Sequence, residues 1–371
     1  MAAFSANTNI LPPSQQRQLP TLPLRGLNLL KTHSTLQFPV NTIMLLNRFH
    51  TNIAVSPFLN VDFASTSITP TPKGWAEFAD NVSGEWDGFG ADFTVEGKPI
   101  QLPENVVPEA YREWEVEVFD WQTQCPTLAQ FHNNCPSLIY KTIKLLPTVG
   151  CEADAATRYS IQERHMTPPH NSAFAYQSTG SYVALWSISN ELMELEHCLI
   201  DPNNKESRVR IIQVLELAES ELKLQSISVF VEQWYGPFRN GDQLGGCAIR
   251  DSAFAATQPL KDSQVSGVWE GLTAVATFTT TTTTTSTSTH NMIQQLGDEC
   301  ARKSIIRDGN DLILLPKQLW CSVKRREDKL ETWCEVGWLV DEGRAITSKC
   351  TFSSTAELKE IALATETASP M

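Results

Sequence analysis

Two rhythms of apolar and polar positions run along the chain. Trp75, Phe78, Ala79 and Val82 fall at i, i+3, i+4 and i+7, which predicts a two-turn amphipathic helix. From Trp86 onward period two takes over. The stretch 86–100 predicts a bent first strand closed by a turn at Glu96-Gly97-Lys98-Pro99. Glu113, Glu115 and Glu117 alternate with Trp114, Val116 and Val118, predicting a half-buried strand with its charges in solvent. A strand is expected at 157–161 and a buried one at 182–186, with a loop at 167–171 between them. The acidic run Glu191, Glu194, Glu196, ending in His197-Cys198, fits either a helix turn or a strand edge. Alternation over 208–217 and 222–235, with Ile227, Val229 and Val231 on one face, predicts a long hairpin connected at 218–221. Further strands are expected at 269–278, 312–315, 318–323, 332–340 and 344–352, and the Thr/Ser tract 279–289 reads mostly as a loop expansion.

One hexapeptide recurs. Ser83-Gly84-Glu85-Trp86-Asp87-Gly88 returns as Ser266-Gly267-Val268-Trp269-Glu270-Gly271. Gly permits a tight entry into a strand, Trp supplies a flat plug, and the second Gly lets the strand bend where a sheet closes. The repetition points to a duplicated unit.

The Gly-x-Trp at the head of a first strand resembles the signature of lipocalins and the wider calycin barrels. More closely, Gly74-Trp75 through Trp86, then Glu113-Trp114-Glu115-Val116 and Phe119-Asp120-Trp121-Gln122, resemble a plastid and cyanobacterial family of unassigned function. Trp320-Cys321, Trp333-Cys334-Glu335-Val336-Gly337-Trp338 and Arg344-Ala345-Ile346-Thr347 continue the resemblance, which spans most of 74–362. That family is placed among lipocalin-like barrels, near the lyases that attach bilins to phycobiliproteins. The resemblance implies an all-β protein of two tandem lipocalin-like antiparallel barrels with short helices at the barrel mouths. The expected division is a leader at 1–61, a linker at 62–73, a first barrel at 74–255, a smaller second barrel at 256–362, incomplete or sharing a sheet edge with the first, and a disordered tail at 363–371.

Composition adds a compartment. Residues 1–61 carry Arg17, Arg25, Lys31 and Arg48 but no Asp or Glu, among many Ser, Thr and Pro, which reads as an organelle address. The expected destination is the chloroplast, in the stroma or at the stromal face of the thylakoid, with the mitochondrion as the alternative. Losing four bases would move the formal net charge from −13 to about −17, a surface unsuited to nucleic-acid phosphates. No apolar run approaches the ~20 residues of a membrane span, so no transmembrane segment is expected. Nine cysteines, an odd number without a Cys-x-x-Cys pair, read as reduced thiols.

Catalytic and metal constellations are not evident. There is no Gly-x-Ser-x-Gly elbow, His165 and His170 straddle a Pro-Pro turn, and the Gly241, Gly245, Gly246 loop lacks the Lys-Ser/Thr of a phosphate cradle. A barrel interior is left as the site. Trp86 and Trp269 are expected as plugs that also touch a ligand. Arg208, Arg210 and Arg344 are candidates to meet a ligand carboxylate, although their alternation with apolar residues favours the solvated face. The resulting expectation is non-enzymatic binding or chaperoning of a small hydrophobic ligand, a tetrapyrrole, carotenoid or lipid. The alternatives are an assembly module contacting a thylakoid or stromal protein complex and, behind it, a bilin-lyase-like or isomerase activity. No cofactor is specified.

Overall fold

The computed structural model of the chain describes residues 72–132, 135–149, 157–166, 173–189, 191–219, 221–242, 253–278, 293–297, 301–326 and 331–369. The leader, the Pro-Pro loop at 167–171 and the Thr/Ser tract lie outside them.

Helix α1 (Lys73–Val82) forms where the spacing predicts it, with Trp75, Phe78 and Val82 buried on one face. Pro72 precedes it, fixing φ where no backbone donor is needed. The helix ends as Ser83 turns extended, and Gly84, at φ +146°, then redirects the chain into the first strand.

The strands of the first half are β1 (Glu85–Phe93), β2 (Asp120–Gln124), β3 (Thr127–His132), β4 (Cys135–Leu145), β5 (Arg158–Met166), β6 (Ala173–Tyr176), β7 (Tyr182–Ser187), β8 (Leu192–Ile200), β9 (Ser207–Ala218) and β10 (Glu221–Gly236). The second half supplies β11 (Gly267–Thr277), β12 (Ile293–Gln295), β13 (Ala301–Arg307), β14 (Ile313–Leu315), β15 (Leu319–Arg326), β16 (Glu331–Asp341), β17 (Arg344–Phe352) and β18 (Leu358–Ala368). They build two sheets. One runs β12-β6-β7-β8-β9-β10-β1-β2-β4-β3 with β5 beside β4, and the other β13-β11-β18-β17-β16-β15-β14.

The all-β class holds, but the ladders give two curled, open sheets rather than two closed barrels: among the described residues neither strand order returns to its start. One strand of the second half joins the first sheet. β12 pairs in parallel with β6 of the first sheet, so a boundary at 256 does not divide them. Residues 363–368, expected in a tail, lie in β18, between β11 and β17.

The two sheets pack face to face. One face of each meets the other sheet through a shared core that includes Val209, Ile211, Leu215, Ile227 and Val229 against Cys321, Cys334, Val336, Cys350 and Leu363. His197 and Gln213 cross this layer, reaching Ser348 Oγ at 2.5 Å and the Ser322 carbonyl at 3.5 Å. The remaining face of the first sheet encloses a second core capped by Trp75 and Phe78 of α1. Each large side chain buried there stabilises the fold by about 1.5–3 kcal/mol.

The Glu113–Val118 alternation does not form a strand. A short helix α2 (Glu109–Glu113) ends there, with Glu115 left-handed at φ +54°. The amide of Val116 reaches the carbonyl of Tyr111 at 2.9 Å and that of Glu115 the carbonyl of Arg112 at 3.2 Å, the paired bonds of a Schellman cap. Trp114 and Val116 are left exposed. The acidic run resolves as strand β8, and the long hairpin as β9 and β10.

Candidate functional site

The hexapeptide repeat is repeated in geometry. Trp86 Nε1 donates to the Val82 carbonyl at 2.9 Å, and Trp269 Nε1 to the Val265 carbonyl at 2.6 Å, four residues back in both cases. Gly88 lies opposite Glu232 on β10, and Gly271 opposite Glu366 on β18. Both glycines are obligatory, because a Cβ would lie 1.9 Å from the Val231 carbonyl oxygen and 2.2 Å from that of Thr365. Over each Trp lies a guanidinium, Arg208 at 4.2 Å from the Trp86 ring and Arg307 at 5.7 Å from that of Trp269. Each of these guanidiniums is paired with the facing glutamate.

In the first sheet this unit extends into a closed ionic layer. Glu232 accepts from Arg208 Nε at 2.6 Å and from Arg210 Nη2 at 2.9 Å. Arg210 Nη1 continues to Glu196 at 3.2 Å. Glu196 also accepts from Tyr140, from Tyr182 at 2.9 Å and from Trp186 Nε1 at 3.1 Å. All four charged side chains are fully buried. Burial alone would raise the carboxyl of Glu232, but Arg208 and Arg210 more than reverse it and hold it below the usual range. For Glu196 burial is likewise outweighed, by Arg210, Arg164 and the two tyrosine hydroxyls. Phe230 fills the space beside Arg210, 4.6 Å from its guanidinium. With aromatic residues on either side, these charged groups find their partners in one another.

The second sheet builds the same layer from another strand. Glu335 on β16 and Glu366 on β18 hold Arg307, at 2.6 and 2.7 Å, and Thr347 Oγ1 donates to Glu366 at 3.0 Å. Here the arginine comes from β13. The strand beside β18 presents small residues instead: Glu366 faces Ala345 and Ala364 faces Thr347, where Glu232 faces Arg208 and Phe230 faces Arg210. Two arginines and a phenylalanine are thus replaced by two alanines and a threonine. A concavity of ≈ 230 Å³ opens on this face, lined by Ile305, Trp333, Ala362, Ala364 and the charged groups of Arg307, Lys303, Lys349, Glu335, Glu360 and Glu366, among others. Burial chiefly, with help from Lys303 and Arg307, pushes the Lys349 amine below the ordinary lysine range despite Glu335 and Glu360.

Of the residues singled out from sequence, Trp86, Arg208 and Arg210 share the first interior, and Arg208 and Arg210 are buried rather than solvated. The alternation misleads because β9 is covered on both faces. Trp269 is buried behind Arg307 in the second sheet, in a small core with Trp320 and Leu339. Arg344 stands apart at the exposed β16–β17 hairpin, 3.3 Å from Asp341. Lys303, Arg307, Trp333 and Lys349 were not anticipated. The recurrence of the Trp-x-Gly element was the available signal, since it implied a second ionic layer that needed its own arginine. Among the described residues no group of His, Cys, Asp or Glu is arranged to hold a metal, and His197 and Cys198, adjacent in β8, face different cores. No described helix is long and apolar enough to cross a membrane.

The fold and site define an all-β protein of two packed, curled sheets carrying a duplicated Trp-Arg-Glu unit, one copy closed and one opening on a concavity. Among solved structures, the chain is similar to a protein of unknown function from the DUF3598 family of Nostoc punctiforme, with 14% identity, a TM-score of 0.45, and coverage of 81% of this chain and 100% of that one. A protein of Bacteroides fragilis named for the outer membrane matches at 7% identity and a TM-score of 0.17, over 78% of this chain and 99% of that one. No family profile matches the chain. No curated protein matches it.

Proposed function

We propose that this is a non-enzymatic small-molecule-binding protein whose site is the concavity of the second sheet, with the first sheet as its packed scaffold. The observation that carries the reading is the substitution of Phe230, Arg210 and Arg208 by Ala364, Thr347 and Ala345 at matching register, which leaves open in one copy what is filled in the other. The two curled sheets are read as lipocalin-like, in keeping with the Gly-x-Trp strand entries. The plastid is the working compartment, supported by the acid-free leader.

This reading moves the ligand away from the first interior. It also reduces its size, since ≈ 230 Å³ is below the ~300–1,000 Å³ that encloses a drug-sized molecule. A tetrapyrrole or carotenoid would seat only one end. The reading is tested by native mass spectrometry of the chain purified from its own organelle. A small molecule should copurify at near-unit stoichiometry and be lost in Ala364→Phe, which restores the side chain of the filled copy. Retention in that variant, with unchanged unfolding, would refute the site.

The assembly-module reading also has an observation behind it. Val268, Leu272 and Ile306 are exposed on neighbouring positions of β11 and β13, Ile306 at 77%. Copurification of the empty chain with a membrane or stromal complex would favour it.

A further inference from the structure

The charged groups of the concavity are not used alike. Arg307 is enclosed by Glu335 and Glu366, and its ion pairs occupy both carboxylates. Lys303 and Lys349 differ: among the described residues neither lies within ion-pair distance of a carboxylate or donates a hydrogen bond, although both line the opening. Lys349 instead holds its Nζ 3.3 Å from the centroid of the Trp333 ring. An ammonium has three donors and no acceptor, so both side chains present unused donors to whatever enters. The opening is also lined by Ala362 and Ala364 of β18, with the Thr273 and Thr347 side chains on the strands beside Ala364, and by Ile305 and Trp333.

We infer that the site takes a small organic acid, its carboxylate held between Lys303 and Lys349 and its short apolar body lying over Ala362 and Ala364 against Trp333. The inference rests on the ligand-binding reading above and narrows it to one chemical class. Two lysines act here as point charges that accept a carboxylate without demanding a fixed bidentate geometry. Trp333 already faces a cation and offers its ring to the adjoining apolar segment. At ≈ 230 Å³ the opening suits a short body rather than a drug-sized one. Glu360 opposes this ligand. It lines the same opening and, among the described residues, has no ion-pair partner, so its charge competes for the lysines.

The test is a calorimetric and tryptophan-fluorescence titration of the full chain, stripped of bound molecules, with octanoate, octanol and inorganic phosphate. Octanoate should saturate one site at least tenfold more tightly than octanol, and phosphate alone should not saturate it. Lys349→Met should bring octanoate to the octanol level and leave octanol unchanged. Glu360→Gln should tighten octanoate several-fold, a direction that a poorly folded variant would not produce. Equal binding of octanol and octanoate, equal binding of phosphate, or indifference to Lys349→Met would overturn the acid preference while leaving the site itself standing. If neither octanoate nor octanol binds, and the chain purified from its organelle is also empty, the ligand-binding reading falls and this inference with it.

Discussion

Removing the Glu232 charge should be the most damaging single change in the ionic layers. Glu232 is fully buried and answers two guanidiniums, at 2.6 Å for Arg208 and 2.9 Å for Arg210. In Glu232→Gln, Arg210 keeps Glu196, but Arg208 is left with the Thr127 hydroxyl at 3.2 Å and the Cys125 carbonyl at 3.5 Å, both neutral. An uncompensated buried charge of this kind costs about 3–5 kcal/mol, a large part of a total near 5–15 kcal/mol. The register-equivalent Glu366→Gln leaves Arg307 its second carboxylate, Glu335, at the edge of an open cleft, and should cost about 1–2 kcal/mol. Urea unfolding followed by tryptophan fluorescence gives both numbers. Adding Arg208→Met to Glu232→Gln should recover much of the loss, because Arg210 still keeps Glu196 and no charge is then left stranded. A Glu232→Gln cost equal to that of Glu366→Gln, or a double variant weaker than the single, would refute the reading of the first layer as a mutually dependent ionic core.

Other consequences are open to simpler assays. Gly88→Ala and Gly271→Ala should each lower the urea midpoint by the equivalent of more than about 2 kcal/mol, since backbone carbonyls occupy the Cβ positions, and parity with an exposed Gly→Ala control would contradict this. Burial, followed by the neighbouring Glu85, raises the buried Asp87 carboxyl to about 7 from its ordinary value of 3.8. Between those values the unfolded chain has released a proton that the folded chain keeps, so stability should fall as pH rises, by up to about 4 kcal/mol, and Asp87→Asn should abolish that component, being most stabilising relative to the parent above pH 7. An unchanged slope in the unfolding midpoint between pH 4 and 8 would sink it. Thiol labelling mapped by mass spectrometry should modify half-buried Cys135 while sparing Cys125, Cys198, Cys321, Cys334 and Cys350 until the fold is lost; burial pushes Cys198 and Cys321 up to about 12.

The elements legible in the sequence are those whose burial matches a one-sided pattern. Trp75, Phe78 and Val82 face one core and the rest of α1 faces out, so the helical spacing shows directly. Strands covered on both faces lose that contrast. In β9, Val209 and Ile211 pack between the sheets while Arg208 and Arg210 pack inside one of them, and a charge buried against another charge has the same alternation as a charge in water. The Glu113–Val118 stretch fails in the opposite sense, because its alternation accompanies a left-handed Glu115 that breaks the chain's direction. β12 has three residues and β13 begins with four exposed positions, so neither carries a pattern strong enough to announce itself. The site was half legible: the repeat pointed to Trp269, but the arginine that covers it lies on a different strand from its counterpart.

That change of strand bears on how one copy of a duplicated unit stays closed while the other opens. In the first copy the cation over the Trp comes from β9, the neighbour of the last strand, and the arginine fills the interior as well as neutralising Glu232. In the second copy the cation comes from β13, on the far side of the first strand, so β17 is relieved of that duty and carries Ala345 and Thr347 at the corresponding places. The charge requirement is met in both, but the volume requirement is met in only one. The chain adds to the opening by placing β12 on the first sheet, so that β13 returns to β11 as an edge strand with no further partner among the described residues. Edge strands with free backbone groups tend to be protected by charge, and β13 carries Arg302, Lys303 and Arg307. Two of these have partners: Arg302 meets Glu270 at 3.0 Å, and Arg307 its two glutamates. Lys303 has none among the described residues, and it stands at the rim of the concavity. The same rearrangement that empties the second interior therefore also supplies a cation at its mouth.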